Sequence, residues 1–362
     1  MSLKIGVLTF HRCINYGSYW QARCLVEGLR SRGYNATILD HDSRRVNLKE
    51  WKCAYRPVLP TSVPESDYKL YRKKIEQFFK AFEILPLSAR FNVEDPCTMA
   101  EDYDLIVVGS DEVWNLSHPW YGRHPIFYGE GLPARHIISY AASFGNYHSA
   151  SGLEHDWAQR LSNFDAISVR DYNSQYLVRE AIDLPVPVVL DPCLQFPLPV
   201  DDTSIKPQPP YMAVYGHNFS QAFIEKIRHW SRYHNKRLIS IGYRNDWADE
   251  QWIDAGPLQF IEFVRNADAV ATNFFHGCVF ALRLAKPFVC EVSPYRSNKI
   301  QDLLAKAGAT DHLMGDESPQ NLFSNRLNRP LQDAIRNRID RLRISSDDFL
   351  TNAVDLQKLE RA

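Results

Sequence analysis

At 362 residues the chain exceeds what one ordinary hydrophobic core organises, so two domains of roughly 150–200 residues are expected. An apolar content of 45% with 12% aromatic residues excludes a disordered chain. A net charge of −1 excludes whole-molecule attraction to nucleic acid or to an anionic membrane, so any anion has to be held by local positive groups. The seven cysteines form no C-x-x-C pair and several sit in apolar runs, which predicts reduced thiols in a cytoplasmic protein. The first apolar run is too short for a signal segment and none approaches the ~18 residues of a membrane span.

In chain order, Ile5–Phe10 reads as a strand. Ser18 reads as the cap of a helix running to about Arg32, with Leu25, Val26 and Leu29 inward and Gly33 as its stop. Thr37–Asp40 completes a β-α-β unit with a right-handed crossover. The loop from His11 to Ser18 carries Asn15, Gly17 and Ser18. Its single glycine lacks the G-x-G-x-x-G spacing, so a dinucleotide fingerprint is not supported, and both a capped turn and a substrate-binding loop stay open. Residues 43–100 read as an insertion. Pro57, Pro60 and Pro64 interrupt it, and Tyr68–Leu85 follows as an amphipathic helix with Lys69, Arg72, Lys73, Lys74 and Lys80 opposite Ile75, Phe78, Phe79 and Phe82. Such a helix either caps the sheet or lies on a membrane surface.

Three further apolar runs end in polar residues. Asp104–Val108 leads to Gly109, Ser110 and Asp111, Ile137–Ala142 leads to Ser143, and Ala166–Val169 leads to Arg170. The guanidinium of Arg170 suits a carboxylate or phosphate, and a salt bridge to Asp171 or another local acid is the alternative. Val188–Pro192 closes a first domain over residues 1–195. Residues 196–210, with five prolines, read as a linker. A second β-α-β series then covers 211–330, with strands at Tyr211–Tyr215, Leu238–Gly242, Ala269–Thr272 and Pro287–Cys290, and 331–362 is a helical tail that folds back across the interdomain gap. Between Thr272 and Gly277 a strand turns into a helix. His276 at that turn is either a proton donor and acceptor near neutral pH or a packed histidine bonded to backbone.

Several separated segments converge on one family. Asn15-Tyr-Gly-Ser18 with Gln21-Ala22, Gly109-Ser-Asp-Glu-Val-Trp-Asn115, Ala141-Ala-Ser-Phe-Gly145, Ser168-Val-Arg-Asp171, Leu190-Asp-Pro192, Thr272-Asn-Phe-Phe-His-Gly277 with Lys286-Pro-Phe, and Lys299-Ile300 before Leu303-Leu304 together resemble the polysaccharide pyruvyl transferases, in order over about residues 5–310. The resemblance implies an α/β, GT-B-like fold in which two Rossmann-like parallel-sheet domains face a cleft, the acceptor side in the N-terminal domain and the donor side in the C-terminal one. It also implies the reaction: the pyruvate skeleton of phosphoenolpyruvate (PEP) moves onto a saccharide as a ketal and phosphate is released, in polysaccharide or glycoconjugate biosynthesis. Carried over residue by residue, the family's arginine, histidine and lysine fall on Arg170, His276 and Lys299. On physical grounds His276 is then the expected proton donor, and Arg170, Lys299 and the N–H groups opening the helix after Gly277 are expected to hold the donor. Asn15, Gly17, Ser18, Ser110, Asp111 and Ser143 face the acceptor sugar. Phe274 departs from the pattern, standing where some members have arginine two residues before the histidine.

No cofactor or metal is required by this scheme, and His41–Asp42 and His155–Asp156 are adjacent pairs without further spaced ligands. Trp114 and Trp120 are open to stacking on a sugar or to core packing. The partners are PEP and a saccharide acceptor, free or lipid-linked, with no nucleic acid and at most peripheral contact with the inner face of a membrane. Two alternatives remain: a nucleotide-sugar-dependent glycosyltransferase on the same frame, and a noncatalytic saccharide-binding protein.

Overall fold

A computed structural model describes residues 2–183, 185–199, 210–292 and 297–359. The chain runs β1 (Lys4–Leu8), α1 (Tyr16–Arg30), β2 (Asn35–Ile38), β3 (His41–Asp42), α2 (Arg44–Tyr55), α3 (Glu65–Phe82), β4 (Phe91–Asn92), β5 (Tyr103–Val108), β6 (Ala134–Ala142), α4 (His155–Arg160), β7 (Ala166–Val169), α5 (Tyr172–Ala181) and α6 (Pro192–Gln195). It continues with β8 (Tyr211–Tyr215), α7 (Gln221–Tyr233), β9 (Arg237–Ile241), β10 (Glu250–Trp252), α8 (Pro257–Asn266), β11 (Ala269–Thr272), α9 (Phe275–Arg283), β12 (Phe288–Glu291), α10 (Ser297–Ala307), β13 (Leu313–Met314), α11 (Gln320–Leu327) and α12 (Asp333–Leu359). These elements form two compact units. The first takes Met1–Glu50, Phe82–Pro199 and Asp340–Ala362, and the second takes Trp51–Ala81 and Val200–Ile339.

The first unit is built on a five-stranded sheet in the order β2-β1-β5-β6-β7, every pair parallel. Its inner strands are near-continuous apolar runs because helices cover both faces, which is what a parallel sheet demands of its sequence. From β1 the chain steps first to β2 on one side and later to β5 on the other. The sheet therefore has a topological switch point between β1 and β5, where the loops after these two strands diverge and leave room for ligands. Trp114 belongs to this unit's core: its ring packs on Tyr128, Phe144 and Phe164, and Nε1 donates to Phe127 O at 2.8 Å. All seven cysteines are free thiols, five of them buried.

The cap of α1 differs from the sequence expectation. Asn15 is the N-cap, in extended backbone geometry, and its Oδ1 accepts from Gly17 N at 2.8 Å and Ser18 N at 3.3 Å. Asn and Ser cap about equally well, so position decides: the helix starts at Tyr16, which leaves Asn15 as the last extended residue and puts Ser18 inside the first turn. Ser18 is thereby released for another partner. Asn15→Ala is expected to lower stability by about 1 kcal/mol, read as a shift in the denaturation midpoint with unchanged slope.

The second unit carries a six-stranded parallel sheet, β10-β9-β8-β11-β12-β13, with its switch point between β8 and β11. Its core gathers Phe223, Ile227, Trp230, Val289 and Phe323 around β8 and β11. The short strands β10 and β13 have no periodic signature long enough to read from sequence. Of the expected linker, residues 200–209 lie outside the described residues, as do 360–362 of the expected tail.

Two assignments shift between units. Residues 51–81 lie within the expected insertion in the first domain, yet they belong to the second unit. On α3, Lys73 pairs with Asp254 at 2.6 Å, Asp67 pairs with Arg244, and the Tyr71 hydroxyl accepts from Arg244 N at 3.2 Å. The expected tail divides as well. Arg338 donates to Lys306 O in the second unit, whereas Ser346 Oγ accepts from Leu190 N at 2.9 Å and Arg32 pairs with Asp347 in the first.

The two faces expected for α3 are also not those observed. Phe79 is exposed, and Lys74, expected among the solvated cations, is 2% exposed. Its Nζ donates to Gly242 O at 2.9 Å and lies 4.3 Å from the centroid of Tyr243. Burial pulls its pKa down to about 7, against a weaker opposing pull from Cys53. The unfolded chain, with the ordinary value of 10.5, therefore binds more protons than the folded one from about pH 7 upward. Stability should rise with pH across that window, by up to ~1.4 kcal/mol per pH unit for one group. Lys74→Met keeps the stem and removes the buried charge. It is expected to melt at or above the wild-type temperature at pH 7 and to lose the rise between pH 7 and 9, as followed by calorimetry. A variant that keeps the full rise would assign it to other groups.

Candidate active site

In the first unit the polar strand ends converge on the switch point. Ser18, in the first turn of α1 after β1, donates from Oγ to Asp111 Oδ2 at 2.7 Å, joining the two loops that part there. Asp111 holds a left-handed backbone conformation, φ 76°, unusual for a residue with a side chain and maintained by the loop around it. Gly109, two residues earlier, has no alternative: a Cβ there would lie 2.3 Å from Tyr140 O. Arg170 follows β7, is 4% exposed, and donates from Nη1 to Asp191 Oδ2 at 2.9 Å while Nη2 stands 3.5 Å from Asp111 Oδ1. Burial opposes its charge, but Asp191, Asp111, Asp171 and Glu112 outweigh burial and raise its pKa above the ordinary arginine value. The resulting chain is Ser18, Asp111, Arg170, Asp191.

The other first-unit candidates serve the scaffold. Ser110 is fully buried, with Oγ accepting from Asp111 N at 2.6 Å and its carbonyl accepting from Thr9 Oγ1 at 2.9 Å. Ser143, also fully buried, donates to Asp171 Oδ2 at 2.6 Å and accepts from Gly145 N at 2.9 Å. Asp171 spends its other oxygen capping α5 through Ser174 N at 2.8 Å, and the salt bridge that is one of the two readings of Arg170 is made with other acids, Asp191 and Asp111. Gly17 donates its N–H to Asn15 within the cap.

In the second unit, His276 lies in the first turn of α9, directly after β11, at that sheet's switch point. The turn is pinned to the loop after β8. Thr272 Oγ1 donates to Tyr215 O at 2.6 Å and accepts from Phe274 N at 3.1 Å, and Asn273 Nδ2 donates to His217 O at 2.9 Å. Gly277 is required by close approach, since a Cβ would sit 2.0 Å from Thr272 Oγ1. The ring of Phe274 meets Tyr215, His217 and Tyr243 edge-on, with centroids at 4.9, 5.3 and 5.5 Å. Phe274 thus sits in an aromatic nest. Phe274 is also the N-cap of α9 and supplies no side-chain cap. Lys299 is half-buried in the first turn of α10, a helix that packs against α9.

Thus Ser18, Asp111 and Arg170 come together in one unit, and His276 and Gly277 in the other. Two participants escaped the sequence reading. Asp191 stands in the Leu190-Asp-Pro192 motif without a role of its own; the apolar run before it forms only an isolated bridge, Val188 to Val169, and not a strand. Glu50, on α2, gave no local signal. Its Oε1 accepts from Trp120 Nε1 at 2.6 Å and Oε2 from Ile14 N at 3.2 Å. Burial raises its pKa, helped by the nearby charge of Asp111 and opposed by the bonds from Trp120, Ile14 and Cys13.

The family model for polysaccharide pyruvyl transferases matches residues 15–291. No curated protein matches the chain by sequence. Among solved structures, the S. aureus MnaA–UDP complex superposes with a TM-score of 0.52 at 13% identity, covering 93% of this chain and 90% of that one. The UDP-GlcNAc 2-epimerase of Neisseria meningitidis superposes with a TM-score of 0.50 at 10% identity, covering 97% of this chain and 100% of that one. The glycosyltransferase SnogD from Streptomyces nogalater gives 0.42 at 13% identity, with 99% and 100% covered. At such identities the likeness is one of fold alone, an α/β chain with parallel sheets. Among the described residues no helix is long and apolar enough to cross a membrane.

Proposed function

The chain belongs to the polysaccharide pyruvyl transferase family, and on that premise we propose that this enzyme takes its pyruvyl group from PEP and closes it as a ketal on two hydroxyls of a saccharide. The observation that carries this reading is His276 at the β8/β11 switch point, on a helix start with no side-chain cap. A helix start offers N–H groups and a positive dipole end to an anion, and Lys299 on the neighbouring helix adds an ammonium. His276 gives its proton to the vinyl CH2 of PEP, leaving C2 as an oxocarbenium-like centre. One saccharide hydroxyl adds to C2 and its proton returns to the imidazole. A second hydroxyl then displaces phosphate, which leaves with the second hydroxyl's proton, and the pyruvate ketal results, its methyl group made from the vinyl CH2.

On the acceptor half, Ser18 and Asp111 orient sugar hydroxyls, the carboxylate as acceptor and the serine as either partner. The resemblance assigns Arg170 to the donor. Its ion pairs with Asp191 and Asp111 favour a different part: Arg170 holds the Asp111 carboxylate in place, as a positioning residue. Calorimetry with PEP and with a panel of nucleotide sugars tests the donor, and phosphate release from PEP in the presence of candidate oligosaccharides tests the transfer. PEP should bind and the nucleotide sugars should not. Absence of PEP binding at millimolar concentration would remove the proposal.

A further inference from the structure

A groove of about 530 Å³ lies within the first unit, away from the residues assigned above, in the size range of small-ligand sites, roughly 300–1,000 Å³. One wall is the turn around Ser149, Gly152 and Leu153, and the other is the face of α5 that carries Tyr176, Leu177 and Glu180. Both walls continue strand-end loops of the candidate site. The turn follows Ser143–Gly145, and α5 begins at Tyr172, immediately after Arg170 and Asp171. They are fastened to each other: Asn173 accepts from Ser149 N at 3.0 Å and donates to Tyr147 O at 2.9 Å, and the Tyr147 hydroxyl donates to Gly152 O at 2.8 Å. The groove is preformed.

Its chemistry selects a neutral, hydroxyl-rich ligand. The lining includes a carboxylate and a serine but no cation, so a phosphate, a nucleotide or PEP finds no counter-charge there. The floor of Leu153 and Leu177 is apolar. Two large aromatics stand out of the same helix face, Tyr172 at 47% and Tyr176 at 55% exposure, one turn apart. An exposed tyrosine with an apolar ring face and a polar tip matches a sugar ring, whose C–H face stacks while its hydroxyls reach polar groups at the rim. We propose that this groove is a subsite for sugar units of the acceptor chain beyond the unit that is modified, Tyr176 and Tyr172 forming the stacking platform and Glu180 taking hydroxyls. This rests on the reading of a saccharide acceptor, and it makes the enzyme select for chain length.

The test compares wild type with Tyr176→Ala and with the double variant Tyr172→Ala, Tyr176→Ala. The probe is an immobilised panel of disaccharides and octasaccharides of glucose, galactose, mannose and N-acetylglucosamine, with PEP affinity followed in parallel by calorimetry. Wild type should hold at least one octasaccharide about tenfold more tightly than the matching disaccharide, and the double variant should lose that gain, as expected for one or two stacking contacts. Melting temperature and PEP affinity should not change. The proposal is overturned if no octasaccharide is preferred, or if the variants keep the preference. Loss of PEP binding by all proteins alongside a tyrosine-dependent length preference would remove the donor assignment and leave the groove standing.

Discussion

Replacing His276 with asparagine is expected to lower turnover by ~10²–10⁴-fold while leaving PEP affinity within about twofold, because the proton it delivers is needed only on the way to the transition state. Asparagine keeps a polar side chain of similar reach but cannot exchange a proton near neutral pH. The measurement pairs phosphate release under saturating PEP with calorimetric binding and a melting curve. The competing role is mechanical, since the ring lies against Phe275 and Phe280 with centroids at 5.1 and 6.3 Å and is 9% exposed. A His276→Asn protein that melts well below wild type, with activity falling only in proportion to the folded fraction, would give the residue to packing.

Arg170→Ala is expected to cost stability first, by roughly 3–5 kcal/mol, because it strands buried carboxylates without their counter-ion. Asp191 is 2% exposed and Asp111 is 7% exposed, so neither is rescued by water. Replacing Asp191 by asparagine in the same chain should restore part of the loss, and the double-mutant cycle measures that coupling. Activity should remain low in the restored protein, since Asp111 has lost the cation that orients it, while PEP affinity stays near wild type. A stable Arg170→Ala protein whose PEP affinity alone has fallen more than about tenfold would return the arginine to the donor.

The candidate site was legible in unequal parts. Apolar runs ending in Gly109-Ser-Asp111, Ser143 and Arg170-Asp171 marked strand ends, because a parallel strand buried on both faces has to be apolar until it leaves the sheet. Which of those polar residues serve the scaffold was not legible. Ser110 and Ser143 look like Ser18 in sequence, yet the first two turn their hydroxyls onto their own loops or onto a helix cap, and Ser18 is free for Asp111 only because Asn15 takes the cap. That outcome depends on which oxygen reaches an N–H first, a matter of ångströms.

Lys74 teaches the same about patterning. Amphipathic spacing located α3 to within three residues at each end, but it put Lys74 outside and Phe79 inside. Periodicity reports which residues share a face. It does not report what that face meets, and here a carbonyl and an aromatic ring in the second unit receive the lysine.

By itself the sequence determined the fold class, the strands of both parallel sheets apart from the shortest, the family, and His276 at a strand-to-helix turn. Each of these is encoded locally, in runs of apolar residues and in short motifs around a turn. Tertiary structure alone decided the allegiance of residues 51–81 and of the C-terminal helix, the ion pairing of Arg170 and the cap of α1. Apart from the cap, whose partners Gly17 and Ser18 are two and three residues away, those depend on partners separated by tens to hundreds of residues, and the free-energy differences among such pairings arise from desolvation and geometry that exist only once the chain is packed.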